Sequence, residues 1–126
     1  MSIPVELSAL AEAMARYRFA YLLTSSSHGA PHALAVTPVL RAGRLDVGDV
    51  GRKTRTNAQA RPEVGLVWPP QSVDEYSLIV DGVVEVTEHA VYVTPTRAVL
   101  HRPAPALTPA APGACGSDCV ELSVKS

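Results

Sequence analysis

The chain has 126 residues and a mass of 13.3 kDa, the size of one domain. Eleven basic and 12 acidic side chains nearly cancel. This balance argues against a nucleic-acid partner, because binding to phosphate backbones depends on a positive surplus. No apolar run approaches the ~20 residues of a membrane helix, and the N-terminal residues lack the pattern of a signal peptide. We therefore expect a single domain, residues 1–126, that has no membrane partner and lies in the cytoplasm.

Helical and alternating patterns follow one another in the first half of the chain. Apolar residues recur at helical spacing between Leu7 and Met14, which predicts a helix over residues 4–16. From Tyr17 the pattern alternates and predicts a first strand that runs into a serine-rich turn. The second and third strands are predicted over residues 32–41 and 44–47, joined by the hairpin turn Ala42-Gly43.

The second half of the chain adds more strands than helices. A glycine-containing break precedes a predicted helix over residues 52–60, which ends before Pro62 because the residue preceding a proline avoids helical conformation. Further strands are predicted over residues 64–68, 76–88, 91–94 and 119–124. Gly82 lies inside the longest of them and predicts a bulge or bend. Residues 102–116 contain four prolines and predict an extended surface loop. Short strands without a strand–helix–strand alternation indicate a small antiparallel barrel.

Basic residues gather in one part of the chain. Residues 41–61 hold six basic and two acidic side chains, a net charge of +4, whereas the remainder carries −5. Arg52, Lys53 and Arg55 fall in the first turn of the predicted helix, where the positive end of the helix dipole favours acidic residues. Two interpretations stay open. The cluster is either a solvated charged face or an anion site in which helix N–H groups and cations bind a phosphate.

The other reactive side chains give no catalytic assignment. Cys115 and Cys119 have the spacing C-x3-C. Buried thiols, a local disulfide and a metal site stay open for them, although zinc would need two further ligands. His28 and His32 flank a predicted hairpin, where each is either a proton donor or a surface residue. Trp68 is expected to pack in the core or at an interface, with stacking on a ring as the alternative. We therefore predict no metal site and leave the catalytic residue unknown.

Several segments, taken in order, resemble the flavin-binding split-barrel superfamily, which includes pyridoxamine 5′-phosphate oxidase and the deazaflavin F420-dependent reductases. The resemblance covers about half of the chain, across the predicted barrel. The matching segments are the turn Gly29-Ala30-Pro31, residues 47–53, Asn57, Pro62, residues 64–69 and residues 80–85.

This resemblance implies a mainly β fold, a six-stranded antiparallel split β-barrel with one or two short helices, which forms a homodimer. It also implies a cofactor, FMN or alternatively F420, bound in a groove between the subunits. The cofactor phosphate would be held at the start of the helix, and the ring would lie against residues 34–37 and 46–49. Asp49 would either accept a hydrogen bond from a ribityl hydroxyl or cap the helix. The cofactor-binding residues predicted in this way are Val36, Thr37, Asp49, Gly51, Arg52, Lys53, Thr54 and Asn57.

Departures from the family pattern narrow the expected function. Leu34 and Val39 stand where the oxidase has an arginine and a lysine for the FMN phosphate, and Thr54 takes the place of the helix lysine. Residues 114–126 lack the oxidase's substrate-binding arginine and histidine. We therefore expect an FMN- or F420-dependent oxidoreductase, not a true pyridoxamine-phosphate oxidase, that transfers hydride between its cofactor and a small conjugated substrate. The alternatives are a non-catalytic binder of a cofactor or haem-related ligand, and a structural or interaction protein that has lost its cofactor site.

Overall fold

The computed structural model describes residues 1–104 of the chain. Cys115, Cys119, the predicted strand over residues 119–124 and most of the predicted loop over residues 102–116 lie outside the described residues. Within residues 1–104, no helix is long and apolar enough to cross a membrane.

Eight strands, all paired antiparallel, make up about half of the described chain. They are β1 (Ser2–Pro4), β2 (Ala20–Ser25), β3 (Pro31–Val36), β4 (Val39–Arg41), β5 (Arg44–Gly48), β6 (Glu63–Trp68), β7 (Ser77–Val86) and β8 (Val91–His101). A 3-10 turn (Leu7–Ala9) leads into α1 (Leu10–Met14), and α2 (Arg52–Ala60) lies between β5 and β6. The mainly β antiparallel class with two short helices is confirmed. The count of six strands is not, because seven strands follow one another across the sheet and β1 pairs with β8 beside them.

The strand order shows how the sheet curls. Its order is β3-β2-β6-β7-β8-β5-β4, so β3 and β4 lie at opposite ends. In the chain, however, only Thr37 and Pro38 separate these two strands. Three steps of extended backbone span at most about 11 Å, so the two ends of the sheet must approach each other at this corner. The sheet is therefore a half-barrel and not a flat layer.

The core lies inside this curve. On β2, β6 and β7 every second residue is buried along most of the strand, as the two-residue period of a strand requires. The helices α1 and α2 add side chains to the same cluster. Burying one large aliphatic side chain contributes about 1.5–3 kcal/mol, and five leucines are almost completely buried: Leu10, Leu22, Leu45, Leu66 and Leu78.

Gly82 produces the irregularity that the sequence predicts in β7. The register between β7 and β8 shifts between Asp81 and Gly82. A Cβ atom at Gly82 would lie 2.5 Å from Val93 Cγ1 and 2.7 Å from the carbonyl oxygen of Thr94. Because no side chain fits at such distances, only glycine allows β8 to approach β7 this closely at the register shift.

Two of the predicted elements in the N-terminal part are wrong in their extent. The helix expected over residues 4–16 is only the five-residue α1 and the 3-10 turn before it, because the backbone of Ser2–Pro4 pairs with β8 instead. The single strand expected over residues 32–41 is two strands, β3 and β4. Pro38 lies in the break, where its missing N–H group removes a hydrogen bond from a continuing ladder.

The predicted strand over residues 91–94 is also too short. β8 continues to His101 and, with 11 residues, is longer than β7, which the sequence had indicated as the longest. The predicted strand stops just before Pro95, a residue that cannot donate a backbone hydrogen bond to a sheet. In the structure Pro95 is paired with Gly82 at the register shift, where the ladder is already irregular.

Candidate functional site

The start of α2 is an uncapped, cationic helix end. The helix begins at Arg52 after the extended residue Gly51, which supplies no side-chain cap. Its first turn contains no acidic side chain, and both Arg52 and Lys53 are exposed. Within residues 1–104 neither of them forms a side-chain hydrogen bond or an ion pair. The helix therefore presents free N–H groups and two unpaired cations on its surface, a combination that suits a phosphate.

The turn before α2 is held by a different aspartate from the one that the sequence singles out. Gly48 has a φ of 78°, a conformation that favours glycine, and its N–H group donates to Asp46 Oδ1 over 2.9 Å. Asp49 is exposed. Because Gly51 is the N-cap of α2 and makes no side-chain bond, the structure excludes capping by Asp49, one of its two predicted roles.

Thr54 and Asn57 lie on the opposite face of α2 from the exposed cations. Their exposed fractions are 2% and 4%, and together with Ala58 they form the face that packs on the sheet. Asn57 Nδ2 donates to Thr24 Oγ1 of β2 over 3.1 Å, a bond that is itself buried. In this arrangement Asn57 connects the helix to the sheet, and both side chains point away from the surface of Arg52 and Lys53.

The other cations of residues 41–61 are engaged within the protein. Arg55 donates to the carbonyl oxygen of Thr87, and Arg61 donates to that of Ser27 over 3.0 Å. The remaining two form ion pairs on the β4–β5 hairpin. Arg41 lies 3.3 Å from Asp46, and Arg44 lies 3.1 Å from Glu85 while its guanidinium is 4.3 Å from the ring centroid of Tyr92.

The predicted ring-contact residues are at the corner where the sheet ends approach. Val36 is half-buried against the core at the end of β3, opposite Ala20, and Thr37 is exposed in the link to β4. Leu34, two residues earlier on the same face, is also half-buried against the core. Of the two predicted cofactor-binding residues Val36 and Thr37, only Thr37 therefore has an exposed polar side chain.

A groove of about 670 Å³, here called the outer groove, lies on the convex side of the sheet. Leu23 is paired with Ala33 on one side and Gly65 on the other, and the small size of these two partners leaves a depression beside Leu23. His32, Glu63 and Asp81 supply polar groups at its margin. His28 is exposed in the β2–β3 turn and does not line the groove. Sequence reasoning missed this groove because its residues belong to strands far apart in the chain.

A second groove, of about 430 Å³ and here called the tyrosine groove, lies elsewhere on the surface. Tyr17 donates its hydroxyl hydrogen to the carbonyl oxygen of Tyr76 over 2.8 Å, which fixes two of its walls together. Burial raises the pKa of Tyr17; Arg16 opposes this shift and Glu75 adds to it. The groove's aromatic and proline residues are Tyr17, Phe19, Pro69, Pro70 and Tyr76.

No metal site is apparent in this part of the protein. Among residues 1–104 there is no group of three or more histidine, cysteine, aspartate or glutamate side chains that could hold a metal ion. The donors at the start of α2 are instead cations and N–H groups, which fit an anion.

Two curated proteins are similar to this chain over nearly its whole length. They are uncharacterized proteins of Mycobacterium bovis and Mycobacterium tuberculosis. Each is 40% identical over 136 aligned positions, which cover 95% of this chain and 96% of the relative. No family model matches the sequence.

Solved structures of flavin-related proteins are similar to this chain in fold. A candidate pyridoxamine 5′-phosphate oxidase from Listeria innocua superposes with a TM-score of 0.62 at 12% identity, over 75% of this chain and 96% of that one. An FAD-binding protein from Mycobacterium smegmatis gives a TM-score of 0.61 at 16% identity, over 79% and 97%. An F420 reductase gives 0.53 at 18% identity, over 64% and 87%.

A further neighbour of the same fold is named for a different ligand. The heme storage protein of Vibrio cholerae superposes with a TM-score of 0.53 at 11% identity, over 73% of this chain and 91% of that one. At such identities these four likenesses concern the fold, so the choice of ligand has to be argued from the residues of this chain.

Proposed function

We propose that the chain and its 40%-identical mycobacterial relatives belong to the pyridoxamine 5′-phosphate oxidase-like split-barrel family, whose fold this chain shares, and that the chain binds a flavin-type cofactor. We further propose that it is an oxidoreductase that transfers hydride between this cofactor and a small conjugated substrate. Neighbours of the same fold that bear the names FAD-binding protein and F420 reductase support the cofactor class.

The observation that carries the proposal is the unpaired cationic start of α2. Three cations crowded near a helix N-terminus are unfavourable by themselves, because the dipole there is positive. For Arg55, the hydrogen bond to the carbonyl oxygen of Thr87 offsets this repulsion. Arg52 and Lys53 have no such partner in the described chain. A bound phosphate would remove the repulsion and would accept bonds from both side chains and from the helix N–H groups.

The chain's own residues would position the cofactor and leave the redox chemistry to it. A bound flavin or deazaflavin supplies a ring that accepts or donates hydride. Arg52 and Lys53 would hold the phosphate, and the N–H groups after Gly51 would complete its contacts. Thr37 and Asp49 are exposed polar residues of the two predicted ring-contact segments, where each would orient polar atoms of the cofactor. Val36 would supply an apolar surface beside them.

FMN and F420 differ in how well the chain suits them. Leu34 and Val39 supply no charge where the oxidase has two basic residues, and Leu34 is half-buried against the core. FMN would therefore depend on the α2 cations alone. The longer anionic tail of F420 would need a further cation, which the exposed Arg41 would supply only by releasing its ion pair with Asp46. We keep FMN as the first candidate and F420 as the alternative.

A homodimer is part of the proposal. Three large side chains on the convex side of the sheet are exposed: Tyr21 by 40%, Leu23 by 39% and Val83 by 45%. A second copy placed on this face would remove them from water, which is worth about 25 cal/mol per Å² of apolar surface. It would also complete the walls of the outer groove. Sedimentation equilibrium tests this, with Leu23→Asp expected to give monomers; a parent protein that is already monomeric at micromolar concentration would refute the dimer.

The second candidate function is non-catalytic binding of a cofactor or haem-related ligand. The likeness to the heme storage protein of Vibrio cholerae favours it, as does the uncharged pair Leu34 and Val39. In this case the ligand would bind without turnover.

The test is titration of the purified chain with FMN, F420 and haem, followed by thermal unfolding. A ligand that binds the folded state at 100 times its Kd stabilises it by about 2.7 kcal/mol, so a clear rise in Tm is expected for the true cofactor. Bound FMN or F420 should then be reduced by a chemical donor and reoxidised by a conjugated acceptor. If only haem raises the Tm, the second function replaces the first. If none of the three does, the cofactor proposal is wrong.

A further inference from the structure

The tyrosine groove is bounded by aromatic rings that the protein itself holds in place. Tyr17 donates its hydroxyl hydrogen to the carbonyl oxygen of Tyr76 over 2.8 Å. The guanidinium of Arg102 lies 4.7 Å from the ring centroid of Tyr76. Phe19 meets Tyr21 edge to face, with their ring centroids 5.2 Å apart. Since these walls are fixed before any ligand arrives, binding between them costs little reordering of side chains.

Charged side chains of both signs line the same groove. Arg16 and Arg18 lie on either side of Tyr17 in the chain. Glu75 lies in the loop before β7, where its N–H group donates to the carbonyl oxygen of Ser72 over 3.1 Å. All three charged side chains are exposed, and within residues 1–104 none of them forms an ion pair or a side-chain hydrogen bond. Burial raises the pKa of Tyr17, Arg16 opposes the shift and Glu75 adds to it, so one charge of each sign lies near this phenol.

This combination selects a ligand that has a ring and charges of both signs. The ring would pack between the aromatic and proline walls. A carboxylate would accept charge-assisted hydrogen bonds from Arg16 or Arg18, and an ammonium group would donate to Glu75. A simple anion would leave Glu75 unpaired, and a simple amine would leave the two arginines unpaired. We propose that the tyrosine groove binds a free aromatic amino acid in its zwitterionic form.

The size and position of the groove agree with such a ligand. Its volume of about 430 Å³ lies within the ~300–1,000 Å³ of small-molecule sites. Arg52 and Lys53 do not line it, and FMN offers a phosphate but no ammonium group for Glu75. The amino-acid site is therefore separate from the proposed cofactor site, and its test needs no cofactor.

The test is isothermal titration of the full-length, cofactor-free protein with related probes. L-phenylalanine supplies ring, carboxylate and ammonium; 3-phenylpropionate lacks the ammonium, 2-phenylethylamine lacks the carboxylate, and L-leucine lacks the ring. L-phenylalanine is expected to bind, and each of the other probes should bind about tenfold more weakly, because one contact with the groove is lost. No binding of L-phenylalanine at millimolar concentration would overturn the proposal, and so would equal affinity for all the probes.

Variants assign the binding to this groove. Glu75→Gln should weaken the binding of L-phenylalanine by about tenfold and leave that of 3-phenylpropionate unchanged, because only the ammonium group contacts Glu75. Phe19→Leu, which keeps an apolar side chain but removes the ring, should weaken the binding of both. Glu88→Gln is the matched control, since it removes the same charge from an exposed residue that does not line the groove, and it should change neither affinity. If Glu75→Gln lowers both affinities alike, or if Glu88→Gln has the same effect as Glu75→Gln, the groove does not recognise the ammonium group and the proposal is wrong.

Discussion

Polar side chains in the first turn of α2 differ from those in its later turns in whether they have hydrogen-bond partners within the protein. Arg55 and Arg61 reach backbone carbonyls of Thr87 and Ser27, and Asn57 binds Thr24 in the interior. These bonds fasten the helix to the sheet. Arg52 and Lys53, at the other end, bind nothing in the described chain. A count of basic residues therefore does not locate a site, whereas the distinction between engaged and unengaged cations does.

The largest expected effect comes from removing the unengaged pair. Arg52→Ala with Lys53→Ala deletes two charge-assisted contacts to the proposed phosphate, each worth about 1.5–3 kcal/mol. Affinity for the cofactor that raises the Tm should fall by at least about 100-fold, because about 1.4 kcal/mol corresponds to tenfold. Isothermal titration measures it. The urea midpoint of the free protein should not fall, since neither side chain makes a contact that folding needs.

A charge-matched control separates this site from the general electrostatic field. Arg16→Ala with Arg18→Ala also removes two exposed cations, but from the tyrosine groove. This variant should bind the cofactor like the parent protein. If both double variants lose affinity equally, long-range attraction and not a site at α2 holds the ligand.

A smaller effect is expected where α2 is hydrogen-bonded to the sheet, and it concerns the stability of the protein and not cofactor binding. Asn57→Ala removes a buried donor and leaves the hydroxyl of Thr24 without its partner, at a cost of about 1–3 kcal/mol. Urea unfolding measures it, with exposed Thr56→Ala as the control, which should change stability by less than about 0.5 kcal/mol. A variant at Asn57 that keeps its stability but loses cofactor affinity would restore the role that the resemblance implies for this residue.

The first and last residues of α2 could be predicted from the sequence, but which face of the helix packs against the sheet could not. Gly51 and Pro62 mark both ends of the helix by local backbone chemistry, and the observed limits are those expected. Its residues are nearly all polar, so no apolar stripe shows which face packs. That Thr54 and Asn57 face inward depends on β2 and β7, which are distant in the chain.

The difference between local and long-range determinants also explains which other features could be predicted from the sequence and which could not. The hairpin turn at Ala42-Gly43 is local, and both residues have the positive φ that such a turn needs. The length of β8 is not local, because Pro95 is tolerated only where Gly82 interrupts the ladder. The outer groove likewise exists only because Leu23 is aligned with Ala33 and Gly65 across three strands.

The smallest expected effect concerns the start of α2 in the ligand-free protein. It tests whether the unpaired cations there lower the stability of the fold. Lys53→Glu places an acidic side chain in the first turn, where the helix dipole should make the free protein more stable by about 0.3–1 kcal/mol. Gln59→Glu is the control for position: it also introduces a glutamate, with a charge change of −1 against −2 for Lys53→Glu, but near the other end of the helix, where it should lower stability slightly. The difference between them should shrink in ~1 M salt, which screens surface charges. If Lys53→Glu instead destabilises the ligand-free protein, Lys53 contributes to folding and its lack of a partner cannot be taken as the sign of a binding site.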